Sequence, residues 1–233
     1  VAVVPHLRLV PPPEPLPPPS MGVSSVATAV MGAGVIKASG ALDAELQANI
    51  DTALAECAPQ ARLEVMARYF GNRGPTQEEC AEQVGTDSQG RPVTRAMRLG
   101  EEQHHVALKC AEEKLKRLKP GGFSLMPRYR VNPQSAGAEY IPQEEVQVLL
   151  QQGRHAELRG TIEPDIVIHQ QGKPHEVQDV YDFKFPCVNT GKVSPWRRYP
   201  TGHPYEDSNQ GQVYARALGG TPARVQPHVG VVR

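Results

Sequence analysis

Apolar side chains return at Leu42, Leu46, Ile50 and Leu54, with Asp43 and Asp51 between them. That four-residue spacing is one face of a helix. Pro59 has no N–H to give to a helix ladder, so the pattern over 42–70 predicts two helices, the second carrying Leu63, Met66, Ala67 and Phe70 on its face. Pro75 and Thr76 open a short helix, with Glu79 placed as a capping-box partner. The stretch "GTDSQGRP" reads as a loop. A longer helix is predicted over 94–118, with Glu101, His104, Leu108, Ala111, Leu115 and Leu118 on one face and a basic last turn that suits the helix dipole.

After "PGG" the period changes. "FSLMPRYRV" reads as a strand, followed by a polar loop and a short helix over 144–151. "IEPDIVIHQ" and "VQDVYDFKFP" read as two strands joined by a tight turn. A loop over 189–205 leads into a helix within "EDSNQGQVYARALGG", and "RVQPHVGVVR" ends the chain as a strand. The order predicts an α/β protein with a mixed central sheet flanked by helices. Three regions follow: a proline-rich linker over 1–40, a helical N-terminal subdomain over 41–93, and the α/β domain over 94–233.

Composition narrows the picture. Of 233 residues, 25 are Lys or Arg and 25 are Asp or Glu, so the net charge is zero and the chain is no general polyanion binder. Aromatics make up 5%, which leaves the core to aliphatic side chains. "PPPEPLPPPS" favours an extended polyproline segment. No apolar run is long enough to span a bilayer. The chain opens with Val rather than Met, as a processed product or fragment would. Cys57, Cys80, Cys110 and Cys187 lack the CxxC spacing of a structural zinc site; free buried thiols are the favoured reading, with one or two disulfides as the rival.

The candidate chemistry sits in "VYDFKF". Side chains alternate across a strand, so Tyr181, Phe183 and Phe185 share an apolar face while Asp182 and Lys184 share the other. Asp165 follows Pro164 in the preceding strand. A hairpin would bring the two carboxylates together, and paired carboxylates favour a divalent cation between them. A neighbouring lysine would then act on water or phosphate charge. The plainer reading is a cross-strand salt bridge on a solvated face.

The pattern Pro164-Asp165 followed by Asp182-Phe183-Lys184 resembles the PD-(D/E)xK nuclease superfamily. "GEEQH", with Gly100 and His104, and "QGQVY", with Gln210 and Tyr214, resemble motifs of its RecB-like branch. The resemblance covers about residues 99–232 and implies a restriction-endonuclease-like core. It implies that Asp165 and Asp182 bind Mg²⁺ or Mn²⁺, with His104 a further ligand and a carbonyl of Phe183 or Phe185 contributing. It implies that Lys184 acts on the attacking water, and that Gln210 and Tyr214 hold the lysine or a phosphate. Glu101, one turn before His104, is a further candidate ligand, since other branches use a glutamate in this helix.

Trp196, Arg197 and Arg198 form an aromatic-basic loop that would stack a base and neutralise phosphates, or else a loop anchored by a buried tryptophan. His169 and His175, beside the hairpin turn, are expected to be exposed, and His203 to be a loop residue. The expected function is metal-dependent hydrolysis of phosphodiesters, DNA first and RNA second. The expected setting is an antibacterial toxin domain, secreted or delivered into a target cell and neutralised by a dedicated immunity protein. A cytoplasmic repair or recombination exonuclease and a non-catalytic binding module on the same fold are the alternatives.

Overall fold

The computed structural model describes residues 40–71, 73–88, 90–131 and 137–233, so the proline-rich stretch lies outside the described residues. The described residues fall within one compact unit, Ala33–Arg233. The chain begins with helix α1 (Ala44–Phe70), whose N-cap Asp43 accepts the N–H groups of Glu45 and Leu46. Helix α2 (Gln77–Ala81) has the expected capping box between Thr76 and Glu79. A hairpin of β1 (Gln83–Thr86) and β2 (Pro92–Thr94) follows, then helix α3 (Arg95–Leu118), capped by Thr94. Strands β3 (Phe123–Leu125), β4 (Arg128–Val131) and β5 (Ala138–Ile141) precede helix α4 (Gln143–Gln151). The rest is β6 (Thr161–Ile162), β7 (Ile166–Gln170), β8 (Lys173–Phe183), helix α5 (Gln210–Leu218), β9 (Ala223–Gln226) and β10 (Gly230–Val232).

The central sheet has the order β10-β9-β8-β7-β3. Only β8 and β9 run parallel, and α5 makes that crossover; the other pairs are antiparallel. The sheet is therefore mixed and flanked by helices. One face packs on α1 and α3 through Ile50, Leu54, Ala111, Ile168, Tyr181 and Phe183. The opposite face packs on α5 and on the small sheet β5-β4-β6 through Val167, Val180, Val213, Tyr214, Tyr129 and Ile162. Strand alternation thus puts Tyr181 and Phe183 against α1 and α3, and Val180 and Asp182 towards α5.

Several expectations change. Pro59 lies inside one continuous 27-residue helix rather than between two. An interior proline costs ~3 kcal/mol. Burial of Ile50, Leu54, Cys57, Ala58 and Ala61 in one core, on both sides of Pro59, offsets it. Helix α1 is also a full layer of that core, so the 41–93 segment does not stand apart from the sheet. "FSLMPRYRV" forms two strands in different sheets, because Met126 takes a left-handed φ of 47° and Pro127 has no N–H for a ladder. "RVQPHVGVVR" is likewise broken at Pro227 and at His228, φ 66°, and folds back as β9 and β10. Gly85, Thr86 and Pro92 of the expected loop "GTDSQGRP" belong to the paired strands β1 and β2, and β5 occupies part of the expected polar loop.

The cysteines pair as Cys57–Cys110, joining α1 to α3, and as Cys80–Cys187. The free-thiol reading is therefore replaced by its rival. Sequence spacing carried no sign of it, because each pair is closed by helix and loop packing over separations of 53 and 107 residues.

Candidate active site

The site lies where β8 ends. Ile166 pairs with Tyr181 across the hairpin, and one step further Asp165 Oδ2 accepts the N–H of Phe183 at 2.7 Å. On the other side Lys184 donates its N–H to the Val225 carbonyl at 2.8 Å. These two bonds fix the strand end, so Asp182 and Lys184 keep their common face. That face is not solvated: Asp182 is 3% exposed.

Lys184 Nζ forms an ion pair with Asp182 and donates to Gln210 Oε1 at 2.6 Å. Gln210 Nε2 donates to the Tyr214 hydroxyl at 2.8 Å, and that hydroxyl lies 3.2 Å from Asp182 Oδ1. Gln210 and Tyr214 sit one turn apart on α5, whose first turn is set by a capping box between Asn209 and Gln212. Helix α5 thus closes a ring of contacts over the acid and the amine.

On the α3 side, His104 Nδ1 faces the Gly100 carbonyl at 2.9 Å, one turn back. Its Nε2 lies 3.0 Å from the Phe183 carbonyl and 3.2 Å from Asp165 Oδ2. Burial pushes the imidazole pKa down, but the Asp165 carboxylate and the Gly100 carbonyl outweigh it and hold the value at about 9. The Asp182 pKa is raised too, which for an acid favours the neutral form: burial first, then the Asp165 charge, lift it to about 6 against the pull of Lys184. Burial and the nearby Asp182 charge push the Tyr214 phenol well above its ordinary range.

The Phe183 carbonyl and the Asp165 carboxylate meet at His104 Nε2, and the Nδ1–Gly100 contact fixes that aim. Among the described residues no group of three or more His, Cys, Asp or Glu side chains is placed to hold a metal ion. Mg²⁺ is commonly held by one or two carboxylates and completed by water and phosphate. Glu101 is exposed and makes no side-chain hydrogen bond to this cluster among the described residues; it lines a cavity of ≈ 280 Å³ beside His104 and Asp165. Met126 also lines that cavity and donates its N–H to the Asp165 carbonyl at 2.9 Å. Its strained φ had no sequence signal beyond the proline that follows it.

In the 189–205 loop the tryptophan is an anchor, the second of the two readings made for it. The Trp196 ring packs against Gly211, where an added Cβ would sit 2.5 Å from it, and meets Tyr214 edge-on at 6.0 Å. Lys184 Nζ lies 5.1 Å and the Arg224 guanidinium 5.5 Å from its ring centre. Trp196 is therefore an anchor that also walls Lys184. Arg197 and Arg198 are exposed beside it. Tyr199 was not singled out from sequence, yet burial, Tyr205 and the Asp182 charge raise its phenol to about 12. His169 is buried, not exposed, with Nε2 2.9 Å from Ser124 Oγ and Nδ1 2.7 Å from the Gln170 carbonyl.

No family model, curated protein or solved structure matches the chain.

Proposed function

We propose that this chain is a metal-dependent nuclease that hydrolyses phosphodiester bonds, with DNA as the first candidate substrate. The observation that carries the reading is the placement of Lys184 between Asp182 and Gln210, with Asp165 and His104 across the strand end from it. Burial first and the Asp165 charge second raise the Asp182 carboxyl towards neutrality, which suits a functional acid better than a surface salt bridge.

Asp165, Asp182 and the Phe183 carbonyl would hold Mg²⁺ or Mn²⁺, and His104 Nε2 would join them by giving up the proton it holds in the free site. Such a cation, when bound, polarises a phosphate oxygen and makes water a nucleophile at neutral pH. Lys184 donates from Nζ to water or to the phosphoryl oxygens where charge builds. Gln210 fixes the lysine rotamer, and the Tyr214 hydroxyl orients Asp182. Trp196 excludes water from one side of Lys184.

The biological setting proposed is an antibacterial effector delivered outside the producing cell, with an immunity protein as its partner. Two disulfides support passage through an oxidising compartment. Among the described residues no helix is long and apolar enough to cross a membrane.

The test is digestion of plasmid DNA and total RNA with Mg²⁺, Mn²⁺ or EDTA, beside Asp182→Ala and Lys184→Ala. Metal-dependent cutting that vanishes in both variants is the expected result, and the polymer cut names the substrate. Folded wild type that cuts neither polymer with either metal overturns the reading in favour of a binding module. Toxicity on expression in a bacterium, lost in Asp182→Ala, separates the effector from a repair exonuclease.

A further inference from the structure

The 189–205 loop carries Lys192, Arg197 and Arg198 and no Asp or Glu, in a chain whose net charge is zero. Its backbone is held tightly to the start of α5. Gln210 donates its N–H to the Arg197 carbonyl at 2.8 Å, Arg198 bridges to Asn209, and Tyr199 donates its N–H to Ser208 at 3.3 Å. Gln210 is the residue that holds Lys184. The two arginines therefore stand next to the site by backbone geometry, not by a flexible tether. Neither forms an ion pair with a carboxylate among the described residues, although Arg68, Arg73, Arg91, Arg95 and Lys114 do.

Behind them is an aromatic step. The Tyr199 and His203 rings stack at 4.4 Å with 18° between planes, and Tyr205 meets both edge-on or tilted at 5.4 and 5.3 Å. Tyr205 is locked by donating its hydroxyl to the Gly160 carbonyl at 2.5 Å, and the Arg216 guanidinium covers its ring at 6.0 Å. The loop that follows does carry acids: Glu206 is occupied with the Gly202 N–H at 2.6 Å, and Asp207 is exposed.

We infer that Arg197, Arg198 and the Tyr199–His203 stack form a ledge that binds single-stranded nucleic acid and leads it to Lys184. Base stacking on a ring requires a base that has left its duplex. Duplex affinity comes from many phosphate contacts, and this ledge offers few cations. Trp196, engaged on Lys184, Arg224 and Gly211, does not serve as the platform. The inference names the substrate class of the proposed nuclease and rests on that reading for its use, but it is tested without catalysis.

The experiment is fluorescence anisotropy in EDTA with labelled oligothymidylate, oligouridylate of the same length and a hairpin duplex. The expected result is that a single strand binds at least about tenfold more tightly than the duplex. His203→Ala and Tyr199→Leu are each expected to weaken single-strand binding by about tenfold. The Arg197→Ser/Arg198→Ser double variant is expected to lower the slope of log affinity on log salt by about 1.4. The far-ultraviolet dichroism of each variant checks its fold, and His203→Ala, on an exposed turn, is the variant kept if Tyr199→Leu fails to fold. Tighter binding of either single strand supports the ledge, and the preferred one names the sugar. Duplex binding equal to single-strand binding, no binding of any probe, or wild-type binding by the folded variants overturns it. Cutting without ledge binding leaves the nuclease and removes the ledge; ledge binding without metal-dependent cutting does the reverse.

Discussion

Replacing Asp182 by asparagine should stabilise the protein while abolishing cleavage. The acid's pKa is moved from 3.8 to about 6, by burial first and by Asp165 second. A raised folded-state value means the neutral acid is the form the fold prefers. The preference is without effect below the unfolded value, grows as pH rises through the window between 3.8 and about 6, and is a full cost above it. At ~1.4 kcal/mol per pH unit the cost is about 3 kcal/mol. Asparagine resembles the neutral acid and keeps an oxygen for Tyr214 and Lys184. Urea unfolding in EDTA should therefore show Asp182→Asn more stable than wild type by about 1–3 kcal/mol near pH ~7.5, and the gain should shrink to about zero near pH ~4. An asparagine variant that is less stable than wild type near neutrality, or a gain independent of pH, refutes the reasoning. It would mean that the Lys184 ion pair outweighs the cost of burying the charge.

Three further outcomes are expected. His104 has a folded pKa of about 9 against 6.5, so its contribution of about 3 kcal/mol is full below 6.5 and lost as pH rises through about 9; urea unfolding in EDTA should show that decline in wild type and a flatter profile in His104→Gln. Gly211→Ala places a methyl 2.5 Å from the Trp196 ring, so it should cost about 1–3 kcal/mol, shift the emission of the chain's single tryptophan and slow cleavage. Separation of 53 residues between Cys57 and Cys110 predicts that Cys57→Ser/Cys110→Ser loses about 4 kcal/mol, read as a lower urea midpoint; an unchanged midpoint would count against the pairing.

Local pattern carried much of this protein. The four-residue spacing of α1, the capping box at Thr76 and Glu79, and the alternation in "VYDFKF" were legible because each depends only on backbone period and on side chains a few positions apart. The same alternation assigned Asp182 and Lys184 to one face, and helical spacing put Gln210 and Tyr214 one turn apart. What the sequence could not express was which distant segments meet. Burial keeps Pro59 inside a continuous helix, and burial together with the Asp165 charge separates the chemistry of Asp182 from that of a surface acid. Disulfide partners, the strained turn at Met126, the buried His169 and the wedging of Trp196 against Gly211 all depend on packing across tens of residues. Periodicity fixes the direction in which a side chain points; only the tertiary contacts decide what it meets there and how much water remains, and those set its charge.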